Sequence, residues 1–253
     1  MKKLTLIAVM TAMVLSITAC GSDGGADATD TLKSSGQGEV VEESTQEVKE
    51  EAGAKKNGIT MEDLLNHSAA PEEDFTFTYT TNGGVTIDGY KGTEEILVIP
   101  DTIQGKPVEK IASYTFGEAG NDSVRAVKLP DSVVELEMMA FSGNESLEII
   151  VLSSGLKKIG ESCFMGCTEL KEIELNEGLE KLENYVLYSC EKLQSVSVPN
   201  SVVEFGYLPF GLCAEGFVVY GSVGSGIEKY YLNLTEEEKE ILLNTYGVRI
   251  EIK

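Results

Sequence analysis

From Val124 onward the apolar residues follow a pattern that no single strand or helix explains. In the segment from Leu170 to Lys192, Leu170, Ile173, Leu175, Leu179, Leu182, Val186 and Leu187 stand at successive steps of 3, 2, 4, 3, 4 and 1. Steps of two suit a strand and steps of three and four suit a helix or turn, so the chain changes character within one short segment. Shifting the segment by 23 residues lays it over its neighbours on both sides. Column one then holds Val124, Leu147, Leu170 and Leu193, column four Val127, Ile150, Ile173 and Val196, and column six Leu129, Leu152, Leu175 and Val198. Column ten holds Val133, Leu156, Leu179 and Val202, column thirteen Leu136, Ile159, Leu182 and Phe205, and column eighteen Phe141, Phe164, Leu187 and Phe210. A less regular unit precedes these, in which Leu97, Ile99, Val108, Ile111 and Phe116 fill the same columns once extra residues around Gln104–Val108 are looped out. An atypical first unit is expected at the end of a repeat array.

A unit this short cannot bury its own apolar side, and stacking the units solves that problem. The prediction is a β-rich repeat solenoid of about five units, within the period range of leucine-rich repeats, with short helical or turn pieces and small terminal caps. Columns four and six point inward from a short strand, whereas columns three and five point away from the core. Column seven, Pro130, Ser153, Asn176 and Pro199, ends the strand. Columns ten to eighteen return in a short strand or turn and a tight helical piece. Strands paired about 4.8 Å apart would make one sheet roughly 25 Å across.

The segments KLPDSVVELEMMAFSGN, VLSSGLKKIGESCFMGC and SVPNSVVEFGYLPFGLC resemble the BspA-like (Treponema-type) leucine-rich repeats. With TIDGYKGTEEILVIP before them and VVYGSVGSGIEKYYLN after, the resemblance runs from about Thr86 to Asn233. The sequence departs from that pattern where the glycine after column thirteen appears only as Gly160 and Gly206, and where Pro209 replaces a small residue. The resemblance implies a scaffold found mainly in bacterial surface proteins, with an adhesion-type binding role towards an unidentified protein or glycan. The alternative it leaves open is a structural or assembly lipoprotein whose partner lies inside the cell envelope.

The first 20 residues carry Lys2 and Lys3, an apolar run from Leu4 to Ile17 and small residues before Cys20, the layout of a signal peptide. Ile17-Thr18-Ala19-Cys20 resembles a bacterial lipobox, which implies lipid on Cys20 and attachment to the outer side of the membrane, at the cell surface or beneath the wall. Residues 21–57 have no aromatic and few apolar side chains and read as an acidic disordered tether spanning about 35 Å. Residues 58–92 read as an N-terminal cap, a short helix entered through Thr60 and a hairpin turning at Asn82-Gly83-Gly84. The repeats occupy 93–215, and 216–253 form a C-terminal cap with a helix entered through Thr235 and a last strand at Val248–Ile252.

Charge and chemistry narrow the function. The net charge is −22, and removing Lys2 and Lys3 with the leader leaves 18 basic against 42 acidic residues, or −24. A partner made of nucleic acid is excluded, because phosphate binding needs a basic face. The single histidine, His67, stands apart from any cysteine or aspartate cluster, and no hydrolase, zinc-protease or phosphate-loop motif occurs. The reading is therefore a non-enzyme with no metal site and no cofactor. Cys167, Cys190 and Cys213 share column twenty-one, with Cys163 nearby. They read as small buried thiols, with disulfides between rungs as the alternative.

The outward columns three and five define the candidate binding face: Ile96 and Val98, Ala126 and Lys128, Ile149 and Val151, Glu172 and Glu174, Ser195 and Ser197. Its first three strands are mainly apolar, the fourth is acidic and the fifth neutral. An exposed apolar patch rimmed by charge marks an interaction site, unless the Phe75, Phe77 and Tyr79 hairpin folds over it. Both possibilities follow from the sequence. If Cys20 carries the lipid, Cys20→Ser moves the protein from the detergent to the aqueous phase on Triton partition, and an unchanged distribution removes the anchor.

Overall fold

Each repeat forms three short sides, and backbone hydrogen bonds join most of these sides to their counterparts in the next repeat. The computed structural model describes residues 58–117 and 123–253, so the leader, Cys20 and the tether lie outside the described residues. On the first side, β3 (Ile96–Val98), β6 (Ala126–Lys128), β8 (Ile149–Val151) and β10 (Glu172–Ile173) form a parallel sheet. Leu97 pairs with Val127, Val127 with Ile150, and Ile150 with Ile173, so column four lies in register along the stack.

The second side is a longer parallel ladder of β5 (Lys106–Ile111), β7 (Glu135–Leu136), β9 (Lys158–Ile159), β11 (Lys181–Leu182) and β14 (Glu204–Phe205). Gln104 and Gly105 of the looped-out stretch turn the chain between β4 (Thr102–Ile103) and β5, which run antiparallel. The expected hairpin forms from β1 (Phe75–Tyr79) and β2 (Val85–Tyr90), and β2 runs parallel to β5. It therefore caps the first end of the second sheet.

The third side differs from the expected helical piece. It is a run of turns, with short paired strands only at β12 (Leu187–Tyr188) and β15 (Phe210–Gly211). The cause is local: column sixteen is left-handed in every unit, with φ of 64° at Tyr114, 56° at Met139, 53° at Ser162, 55° at Tyr185 and 44° at Leu208. A residue in that region interrupts a right-handed helix, and for a bulky side chain it is costly. Hydrogen bonds across units hold it there: Met139 N–H donates to the Glu161 carbonyl at 2.8 Å, Ser162 to Asn184 at 2.8 Å and Tyr185 to Tyr207 at 3.1 Å.

The C-terminal cap begins inside the repeat register. β13 (Ser195–Ser197) pairs with β16 (Val218–Gly221), which pairs in turn with β17 (Arg249–Ile252), all parallel. Between them come α2 (Gly226–Leu232), capped by Ser225, and α3 (Glu236–Asn244), which opens on a Thr235–Glu238 capping box. A matching box of Thr60 and Asp63 opens α1 (Met61–Asn66). One expectation fails on the first side, where the sheet is not continuous. β10 and β13 belong to separate sheets, although β11 and β14 remain paired behind them.

The core is a set of ladders. The rings of Phe116, Phe141 and Phe164 stack at 5.1 and 5.3 Å, and Leu187 and Phe210 continue their column, all buried. Burying each such side chain contributes roughly 1.5–3 kcal/mol. Column fourteen alternates Glu137, Gly160, Glu183 and Gly206, and a side chain at Gly160 or Gly206 would collide with the backbone of the preceding unit. The column of thiols is held by bonds to the preceding unit. Cys167 donates to the Phe141 carbonyl at 3.2 Å, Cys190 to Phe164 at 3.3 Å and Cys213 to Leu187 at 3.2 Å. All four thiols in the described residues are free, and burial pushes them up, Cys213 to about 11.

Leu182 is fully buried, whereas the Glu180 side chain is 63% exposed beside Lys157. Leu182→Asp is expected to cost roughly 3 kcal/mol or more and to abolish cooperative unfolding. Glu180→Lys should melt like the parent. Equal melting of the two variants would show that the register is wrong.

Candidate binding face

Strand alternation sets the outward positions. In β3, β8 and β13 the central residue is buried and its two neighbours face out. Ile96, Val98, Lys128, Ile149 and Val151 are half-buried, and Glu172, Glu174, Ser195 and Ser197 are exposed. In order along the stack these residues are apolar, then acidic, then hydroxyl-bearing. Beyond Ser195 and Ser197 the register adds Val218 and Tyr220 of β16.

The cover on this face is not the hairpin. α1 packs on β3 and β6, with Leu64 fully buried, and Ala126 is likewise 0% exposed. Ala69 bridges to Val98 along the edge of β3, and the Ala70 N–H donates to the Val98 carbonyl at 2.9 Å. At the other end of the segment, Gly58 lies beside the Glu148 carboxylate and the Lys171 ammonium. Residues 58–70 therefore cross the β3–β6 part of the face, with Gly58 at the margin of β8 and β10.

Charges run along the stack in two ladders. In the first, Arg125 binds Glu95 at 2.8 Å and Glu148 through both its Nε and Nη2 groups, and Lys171 binds Glu148 at 2.6 Å. In the second, Glu135 bridges Lys110 at 2.6 Å and Lys158 at 3.1 Å, Glu183 takes Lys158 at 3.0 Å, and Lys181 reaches Glu204 at 3.5 Å. Burial alone would raise the Glu148 carboxyl, but hydrogen bonds from Lys171 and Arg125 outweigh it and hold the group below the usual range. Glu135 and Glu183 are lowered for the same reason, against burial, by their lysines. Among the described residues Glu172 and Glu174 form no such pair.

His67 is exposed, and among the described residues no group of His, Cys, Asp and Glu is placed to hold a metal ion. A shallow cavity of about 370 Å³ lies among α2, α3 and β17, lined by Tyr231, Lys239, Leu243 and Arg249. It contains none of the residues predicted from sequence. What the sequence did not reveal is the role of Leu64 and Ala126, since the adjacent Leu64 and Leu65 of a six-residue helix carry no periodic signal.

Residues 95–215 match the BspA type leucine-rich repeat region in six copies, one more than the spacing reading counts. The chain is similar to the leucine-rich-repeat protein of Treponema pallidum, with 26% identity and a TM-score of 0.56, over 73% of this chain and 98% of that one. It is also similar to a leucine-rich cell surface protein of Faecalibacterium prausnitzii, with 20% identity and a TM-score of 0.42, over 60% of this chain and 55% of that one. For the pneumococcal vaccine antigen PcpA the values are 19% and 0.41, over 59% and 50%. No curated protein matches the chain.

The lowered carboxyls give a pH dependence of definite sign. Glu148, Glu135 and Glu183 bind protons less readily folded than unfolded. Their contribution is therefore complete above the unfolded glutamate value of about 4.3 and is lost as pH falls through the lower folded values. The melting temperature should be nearly flat above about pH 5 and drop below about pH 4. Glu148→Gln should lower it at neutral pH and shallow the acid limb; an acid limb identical to the parent's would exclude Glu148 from this role.

Proposed function

This is a BspA-like leucine-rich-repeat protein, and from that premise we propose that it is an extracytoplasmic binding protein, held to the membrane through lipid on Cys20, that recognises a protein or glycan with the outer face of its first sheet. It carries out no catalysis. The observation that supports this reading is the contrast between the two sheets. Outward charges of the second sheet are matched by partners in neighbouring units. On the first sheet, half-buried Ile149 and Val151 stand beside exposed Glu172 and Glu174, which have no such partners among the described residues. An apolar patch rimmed by charge is the usual signature of an interaction surface.

A second reading, a structural lipoprotein with its partner inside the envelope, draws support from the 37-residue tether of positions 21–57. At about 35 Å it keeps the domain close to the membrane. Captures from shaved whole cells and from purified wall separate the two. Ile149→Lys combined with Val151→Glu is expected to leave the melting temperature near the parent's and to abolish capture of whatever the wild type retains. Undiminished capture with unchanged melting would refute binding by this face.

A further inference from the structure

We propose that residues 58–70 are a displaceable strap, which occupies the β3–β6 part of the binding face with a short helix and one edge bridge and must lift before a polypeptide partner can sit there. The inference rests on the proposed function and adds its regulation and the chemistry of the partner. Three observations carry it.

First, the seat is made for an apolar side chain. Column three reads Ile96, Ala126, Ile149 along the apolar rows, and the small Ala126 between two isoleucines leaves a hollow. Ala126 is the member of that column with no exposed surface, and Leu64 of the helix packed on β3 and β6 is equally buried. Second, the strap pairs with the sheet as a foreign strand would. Ala69 bridges in parallel to Val98, and Ala70 donates a 2.9 Å hydrogen bond to its carbonyl. This is strand addition at the edge of β3, with one apolar anchor for specificity. Third, little holds the strap. Apart from buried Leu64 and half-buried Ile59 and Ala70, its side chains are exposed, and α1 has six residues. A helix that short does not persist alone in water. Few buried contacts and exposed hydrogen bonds are the marks of a segment that opens without the rest of the domain.

What the strap covers also matters. Lifting it uncovers Ala126 and frees the Val98 carbonyl, and so joins β3 and β6 to the apolar row of Ile149 and Val151. A partner that replaces it needs a leucine-like side chain for the hollow and a backbone that pairs with the Val98 carbonyl, which is polypeptide chemistry and not that of a glycan.

Hydrogen exchange on the full-length lipid-anchored protein tests this directly. In the wild type, the Ala70 amide is expected to exchange at least about tenfold faster than the amides of Val127 and Ile150 in the sheet. Equal protection would mean that the strap opens only with the whole domain, and would overturn the proposal. Ala126→Ile places in the hollow the residue that column three already carries at Ile96 and Ile149. It should strip protection from residues 58–70 while the melting temperature stays near the parent's. Retained protection, or a large loss of stability, would overturn it. As a partner probe, a labelled peptide of the strap sequence GITMEDLLNHSAA should bind Ala126-intact Leu64→Ser protein about tenfold more tightly than wild type, whose own strap competes at high effective concentration. Equal binding to the two contradicts the seat. Should the strap lift as described while Leu64→Ser leaves native capture unchanged, the regulation fails and the binding face stands. If Ile149→Lys with Val151→Glu also captures undiminished, the face itself fails.

Discussion

Every feature of the domain depends on one constraint, the hydrogen bonding of each unit's backbone to the unit after it at a fixed offset. The first-side strands, the second-side ladder and the left-handed turns of the third side all take their N–H and C=O partners from the neighbouring repeat. A unit of 23 residues buries too little alone, so the offset also decides which side chains meet. Arg125 finds Glu148 and Lys171 finds Glu148 because each pair is 23 residues apart, and the thiol-to-carbonyl bonds of Cys167, Cys190 and Cys213 recur at 26. A slip of one residue would turn every inward column outward.

That constraint also distributes function. A solenoid satisfies its own backbone along the stack and leaves only the outward columns free to vary. On the second sheet those columns are filled with lysine and glutamate that pair across units, and such surface pairs keep the domain soluble while contributing little stability each. On the first sheet they hold isoleucine, valine, glutamate and serine without cross-unit pairing. The N-terminal segment has settled on the more apolar end of this face, where Ala126 is small enough to admit Leu64. The same surface thus serves as packing at one end and as open face at the other.

Much of this is legible in the sequence because stacking makes buried positions recur. Columns four, six, ten, thirteen and eighteen name the core residues, and the alternation around them names the outward face. Three things are not legible. Column sixteen is left-handed at Tyr114, Met139, Ser162, Tyr185 and Leu208, none of them the glycine that would announce it, and hydrogen bonds to the next unit hold the conformation at Met139, Ser162 and Tyr185. The interruption between β10 and β13 has no marker in its residues, since Ile173 and Val196 keep column four intact. The contact of α1 with β3 and β6 links residues far apart in the chain through one leucine, and Ala126 looks in sequence like one more outward residue.

The central claim, that register between neighbouring units specifies the fold, is tested most directly by removing one unit. Deleting Leu170–Lys192 joins Glu169 to Leu193 with every column still in phase and brings Lys158 next to Glu204, a pair of opposite sign. Thermal unfolding followed by circular dichroism should then show a single cooperative transition with the parent's β signal, at a moderately lower temperature. Deleting only Leu170–Lys181 breaks the phase and should leave no cooperative transition. An unfolded whole-unit deletion, or a half-unit deletion that melts as sharply as the parent, would contradict the account.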